Sequence, residues 1–151
     1  GAARHTYRIN LSNCSEIESV FQKLIKSESM LFQEFLNSIT TQGEISLILI
    51  GGKYTHAVKK IAKKGDFRVQ DDHGGRVEKY TPTKEEIEFA KNCLKSSPFN
   101  PMYARVDMVY DNNNELSLSE LELIEPELWF RHNPKAAKQL AEEVFKTISS
   151  K

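Results

Sequence analysis

The spacing of apolar positions changes from one segment of the chain to the next, and each spacing predicts an element. Thr6 to Ile9 alternates with the period of two of a short strand. Ile17, Val20, Phe21, Leu24 and Ile25 recur at helical spacing, which predicts an amphipathic helix over about 15–26, with Ser15 as N-cap and Glu18 at the capping-box position. Met30 to Phe35 is a short apolar run that reads as a buried strand. Ile45 to Ile50 (Ile-Ser-Leu-Ile-Leu-Ile) is almost wholly apolar and β-rich, the pattern of a strand covered on both faces. Gly51-Gly52 then signals a hairpin turn that returns through Tyr54 to Ile61.

Lys63 to Lys84 is polar, carries glycines at 65, 74 and 75, and has no period, which predicts a loop of about 20 residues. Thr83 with Glu86 makes a capping box for a helix ending near Lys95, before Ser-Ser-Pro. Met102 to Tyr110 and Glu115 to Ile124 are two strands around Asp111-Asn112-Asn113-Asn114. A last helix begins at Asn133-Pro134 and runs to about Ile148 through Ala137, Leu140, Ala141, Val144 and Phe145. Strands and hairpins interrupted by three helices, without regular βαβ alternation, predict an α+β fold, a largely antiparallel sheet with helices packed on one side.

The register of the 102–124 hairpin has a chemical consequence. A two-residue type I′ turn at Asn113-Asn114 sets Asp107 opposite Glu120 and Arg105 opposite Glu122. A turn wider by two residues moves the neighbours but keeps the faces; only an odd slip exchanges them. One face then carries Tyr103, Arg105, Asp107, Glu120 and Glu122. The other carries Ala104, Val106, Met108, Tyr110, Ser119, Leu121 and Leu123 and reads as core. Carboxylates directly across a ladder repel one another, so the cluster calls for a cation. A hard divalent ion with phosphate is one answer, the acids holding metal and the arginine gripping phosphate. A solvent-facing surface with Arg105–Glu122 as an ordinary cross-strand pair is the other, and spacing alone leaves both open.

Composition narrows the classes. The chain has 151 residues, enough for one ordinary domain, with 21 basic and 21 acidic side chains, so charge gives no argument for nucleic acid or a membrane surface. No apolar run approaches the ~20 residues of a membrane span. Two cysteines, Cys14 and Cys93, make no metal spacing and no disulfide framework, so a cytoplasmic setting is the expectation. His5, His73 and His132 are scattered, and His56 reads as a packed strand residue. Trp129 and Phe130 read as packing for the last helix.

Tyr-Ala-Arg-Val-Asp-Met-Val (103–109) followed by Glu-Leu-Glu-Leu-Ile-Glu-Pro (120–126) resembles the end of the ATP-grasp fold, as in glutathione synthetases and D-alanine–D-alanine ligases. Phe32-Gln33-Glu34-Phe35-Leu36 with Gly43-Glu44 resembles that family's segment between lobes. Gly51 to Val58, Gly65-Asp66-Phe67-Arg68-Val69-Gln70 and Gly74-Gly75 look like the glutathione-synthetase-like members. The likeness spans about residues 1–130. It implies a carboxylate–amine ligase using ATP and Mg²⁺ (or Mn²⁺) through an acylphosphate, with small-molecule acid and amine substrates; the oligomeric state is left open.

Residue by residue, the resemblance implies metal ligation by Asp107, Glu120 and Glu122, the last standing where the family commonly has asparagine. It implies phosphate contact by Arg105, adenine reception at Gln33, Glu34, Phe35 and Leu36, and ribose binding by Glu44. Arg68 would meet the acylphosphate or acid substrate, and Lys60 a phosphate; each reads otherwise as a solvated charge. Residues 1–151 then form one partial ATP-grasp domain, the C-terminal portion, lacking the N-terminal substrate lobe and first ATP-binding strands. Alone it is expected not to turn over. The missing methionine before Gly1-Ala2-Ala3-Arg4 agrees with that expectation or marks a cloning scar. A non-catalytic nucleotide-binding or interaction module that keeps the fold is the alternative.

Overall fold

The computed structural model describes residues 5–69 and 74–149. They divide between Leu36 and Asn37 into two units. The first is built on helix α1 (Cys14–Leu24). Asn13, not Ser15, is its N-cap, and no side chain caps it. The reason is local: Asn13 Oδ1 accepts from the Asn10 amide at 2.8 Å and its Nδ2 donates to the Arg8 carbonyl at 3.1 Å, so the preceding turn engages the capping side chain. Thr6–Ile9 and Met30–Phe35 are irregular rather than strands. Neither belongs to the sheet formed by the described strands, and Leu31 and Phe32 are 96% and 86% exposed.

The second unit is an antiparallel sheet. A short helix, α2 (Ser38–Thr41), leads through Gly43 into β1 (Glu44–Ile50). Strand β2 (Lys53–Ile61) follows the Gly51-Gly52 turn, where both glycines have positive φ, as a tight hairpin requires. The order is β3-β2-β1-β4-β5, with β3 at Arg76–Tyr80, β4 at Tyr103–Tyr110 and β5 at Leu116–Glu122. The largely apolar β1 lies at the centre and is buried along its whole length, as the Ile45–Ile50 run predicts.

Within the sheet, two sequence expectations need correction. Part of the expected 63–84 loop is an edge strand, β3 (Arg76–Tyr80), pairing Tyr80 with Ala57 and Arg76 with Ile61. Its polar Arg-Val-Glu-Lys-Tyr composition suits an edge and hides it from an apolar-pattern reading. The β4–β5 turn is also wider than two residues. Asp111 Oδ1 accepts the amides of Asn113 and Glu115 at 2.8 and 2.9 Å, and Tyr110 pairs with Leu116. That is an odd slip, and a bulge at Ser119 reverses it. Beyond the bulge Asp107 faces Glu120 and Arg105 faces Glu122, as expected, but Leu118 rather than Ser119 pairs with Met108.

The helices do not share one side. On one face Ile45, Leu47, Leu49, Ala57, Val106 and Met108 pack against Ile87, Ala90 and Cys93 of α3 (Lys84–Ser96). Thr83 and Glu86 form the expected capping box, and the buried Glu86 also accepts from the Tyr80 and Tyr110 hydroxyls at 3.0 and 3.1 Å. On the other face Ile48, Ile50 and Val58 meet Trp129 and Ala136, the latter on α4 (Pro134–Ser149). Both cysteines are free thiols. Among the described residues no helix is long and apolar enough to cross a membrane.

Two outcomes test this architecture. Gly43 has φ +78°, and a Cβ there would lie 2.3 Å from the Lys60 carbonyl oxygen. Gly43→Ala is therefore expected to lower stability by at least about 1–3 kcal/mol in urea unfolding. Burial and the Glu86 carboxylate push the Tyr80 phenol from 10.0 up to about 12. The unfolded phenol ionises first, so stability is full below pH 10 and declines as pH rises toward 12. Tyr80→Phe should flatten that alkaline decline.

Candidate functional site

Strand parity puts Glu44, Ser46, Ile48 and Ile50 of β1 on the face away from α3. Lys60 stands opposite Glu44, Asp107 opposite Ser46, and Arg105 opposite Ile48. This face is apolar at one end and charged at the other. At the charged end Lys60 Nζ bonds Glu44 and lies 2.9 Å from Asp107 Oδ2. Arg105 reaches Asp107 through Nε at 3.0 Å and Nη2 at 2.8 Å, bonds Glu122 through Nη2, and comes within 3.8 Å of Glu120. Ser119, placed here by the bulge, donates to Glu44 Oε2 at 3.3 Å.

Burial makes these contacts strong and mutually dependent. Asp107 is fully buried. Burial pushes its carboxyl up, but Lys60 and Arg105 outweigh that and hold it below the ordinary range. Glu44 goes the other way: desolvation raises it, Lys60 offsets this in part, and Asp107 adds to the rise. Glu122 is likewise raised by desolvation, with Arg105 opposing and Glu120 reinforcing. Lys60 and Arg105 are stabilised as cations despite burial, chiefly by Asp107.

Asp107, Glu120 and Glu122 each offer an oxygen, and these lie within 4.8 Å of one another. Oxygens sharing a magnesium ion sit about 3–4 Å apart, so modest side-chain adjustment would bring the three onto one ion. Four carboxylates here face only two cations, and the imbalance is the charge of one divalent ion. Ser46, fully buried and directly across from Asp107, adds its hydroxyl to the groups that hold that carboxylate charged. An all-oxygen set with surplus negative charge fits Mg²⁺ or Mn²⁺.

The structure thus gathers Glu44, Lys60, Arg105, Asp107, Glu120 and Glu122 into one network. Arg68 is in a different arrangement, paired with Asp66 at 2.8 and 3.1 Å, while Asp66 Oδ1 also accepts the Phe67 and Arg68 amides. The Arg68 bonds hold the Asp66 carboxyl well below its usual range. Gln70 and His73 lie outside the described residues. Gln33, Glu34, Phe35 and Leu36 belong to the first unit, where the Arg8 guanidinium lies 3.7 Å from the Phe35 ring centroid. Two site residues escaped the sequence reading. Ser46 looked like one polar interruption of an apolar strand, though its parity with Glu44 was a usable signal. Trp129 does pack beside α4, but its ring centroid also lies 5.2 Å from Arg105 Cζ and 5.8 Å from Lys60 Nζ.

A family model, the RimK-like ATP-grasp domain, matches residues 8–126. No curated protein matches the chain. Among solved structures, D-cycloserine synthetase DcsG is similar over 76% of this chain and 41% of its own, at 21% identity and TM-score 0.57. D-alanine–D-alanine ligase from Bacillus anthracis complexed with ATP is similar over 89% and 46%, at 16% identity and TM-score 0.56. ATP-grasp ligase PsnB, complexed with a variant of its minimal precursor, Mg and ADP, is similar over 91% and 42%, at 14% identity and TM-score 0.59. At these identities the likeness shows the fold. The chain spans less than half the length of each of these structures.

Lys60 is the shared counter-charge of Glu44 and Asp107. Lys60→Met should destabilise the chain by about 3–5 kcal/mol, because two buried carboxylates lose one partner. Adding Asp107→Asn should recover part of that loss, and strictly additive effects in the double-mutant cycle would contradict the coupling.

Proposed function

Because this chain belongs to the RimK-like ATP-grasp family, we propose that it is the C-terminal ATP-binding portion of an ATP-dependent carboxylate–amine ligase, with Mg-ATP held by the 103–124 hairpin. The observation that carries the reading is the convergence of Asp107, Glu120 and Glu122 beside Arg105 on one sheet face. The Mg and ADP named in the PsnB structure support the cofactor assignment.

The reaction joins an acid to an amine in two steps. A carboxylate oxygen attacks the γ-phosphorus and ADP leaves, giving an acylphosphate. The amine nitrogen then attacks the acyl carbon, and phosphate leaves with formation of the amide. The first step brings anions together, so positioned positive charge lowers the barrier. A bound divalent ion supplies Lewis-acid neutralisation of the phosphate oxygens. Asp107, Glu120 and Glu122 would hold it, and Glu122 in place of asparagine makes the site more acidic. With a divalent ion held by those acids, Arg105 and Lys60 would be available to phosphate oxygens. Glu44, now bonded to Lys60 and Ser119, would bind ribose by exchanging the Ser119 hydroxyl for a sugar hydroxyl. Gln33, Glu34, Phe35 and Leu36 would receive adenine, and Arg68 the acid substrate or acylphosphate.

A second reading, a non-catalytic nucleotide-binding or interaction module, draws on the same ion pairs. Asp107 already has Lys60 and Arg105, so the face is satisfied in part without metal.

Titration of this chain with Mn²⁺ and a non-hydrolysable ATP analogue should show metal-dependent binding. Asp107→Asn and Glu120→Gln should each weaken it at least about tenfold. Unchanged binding in both variants removes the site assignment. This chain alone is expected to release no ADP, and measurable ligase turnover by it would refute that. Its parent enzyme should convert ATP to ADP and phosphate when offered acid and amine; if it binds nucleotide but never does so, the module reading stands.

A further inference from the structure

We infer that Trp129 is a positioning residue for Arg105 and Lys60, a neutral aromatic partner that keeps both cations on the charged face when the carboxylates change hands. The inference rests on the nucleotide-site reading above. The observation behind it is geometric. One indole ring lies 5.2 Å from the Arg105 guanidinium carbon and 5.8 Å from the Lys60 ammonium. These distances are within the range of attraction between a cation and the negative face of an aromatic ring. The two cations come from different strands, β2 and β4, on opposite sides of β1. Trp129 therefore spans the face where β1 itself offers only Ile48 opposite Arg105.

The chain holds this ring in place by unusual means. Trp129 has φ +46°, a left-handed conformation that a bulky side chain rarely adopts. Such a conformation persists where its surroundings over-determine it. Here the Trp129 amide donates to Glu127 Oε1 at 2.8 Å, and its carbonyl accepts from the His132 amide at 2.8 Å. His56 Nε2 donates to the neighbouring Leu128 carbonyl at 2.9 Å, and Asn133 Nδ2 donates to the Thr55 carbonyl at 3.2 Å. The 128–133 segment is thus tied to β2 at two points, and the indole is seated on Ile48, Ile50, Val58 and Ala136 with 5% exposure.

The chemical role follows from which partners persist. Arg105 is held by Asp107 and Glu122, and Lys60 by Asp107 and Glu44. A divalent ion binding those acids would compete with both cations for the same oxygens. The ring carries no charge and ligates no hard metal, so it remains a partner before and after the exchange. It would hold the two cations where phosphate oxygens arrive instead of releasing them to solvent. A purely packing residue would need only volume; this role needs the ring's electron density.

Trp129 is the only tryptophan of the chain, so it can be replaced uniformly by 5-fluoro-, 5,6-difluoro- and 5,6,7-trifluorotryptophan. Each fluorine weakens the ring's attraction for a cation while changing its volume little. Two readouts are taken on the full chain: solvent exchange of the Arg105 Nε–H proton by NMR, and affinity for Mn-ADP. The expected result is exchange that accelerates with each fluorine and Mn-ADP affinity that falls by about three- to tenfold across the series. Trp129→Phe should lie between the native chain and Trp129→Leu. If both readouts are flat across the series and Trp129→Leu changes only the unfolding midpoint, Trp129 is a packing residue and the inference is overturned. If the unsubstituted chain binds no Mn-ADP, the nucleotide reading fails on its own. The Arg105 exchange series then still decides the positioning: graded supports it, flat overturns it.

Discussion

A fully buried aspartate near the middle of a five-stranded sheet organises this protein. Asp107 cannot remain charged there without close counter-charges, since desolvating an isolated carboxylate costs far more than the rest of a domain can offset. Its counter-charges come from two directions: Arg105 from its own strand and Lys60 from two strands away. Each in turn needs the other carboxylates, and Glu44 and Glu122 are recruited to them. The register of β1 against both neighbours, and of β4 against β5, decides that these five groups share one face.

That arrangement divides the face in two. At one end Ile48, Ile50 and Val58 are sealed by Trp129 and α4, as in any core. At the other the ionic network begins within one residue of the apolar ladder. Trp129 belongs to both halves, buried among aliphatic side chains on one side and set over two cations on the other. Long-range bonds from β2 to Leu128 and Asn133 hold the segment that delivers it.

An ionic network of this kind serves two purposes with the same groups. It pairs the buried charges while no ligand is present, and on the proposed reading it would exchange partners with a divalent ion and phosphate. Membership of the ATP-grasp family is what directs the proposal toward nucleotide chemistry.

The sequence by itself determined the elements with strong period or clear punctuation: β1 from its apolar run, its hairpin from Gly51-Gly52, α3 from its capping box, α4 from Asn133-Pro134. It also placed Arg105, Asp107, Glu120 and Glu122 on one face, because strand parity is local information. That result survived two departures, a wider turn and a bulge at Ser119, which cancel. Sequence pattern could not find β3, whose polar residues become a strand only because β2 offers an edge, and it made strands of Thr6–Ile9 and Met30–Phe35, which lie outside the sheet of the described residues. Tertiary structure alone decided that Lys60 would bridge Glu44 and Asp107, that Ser46 would lie buried across from Asp107, and that Trp129 would lie over both cations. Those contacts join residues tens of positions apart, and only the order and register of the strands bring them together.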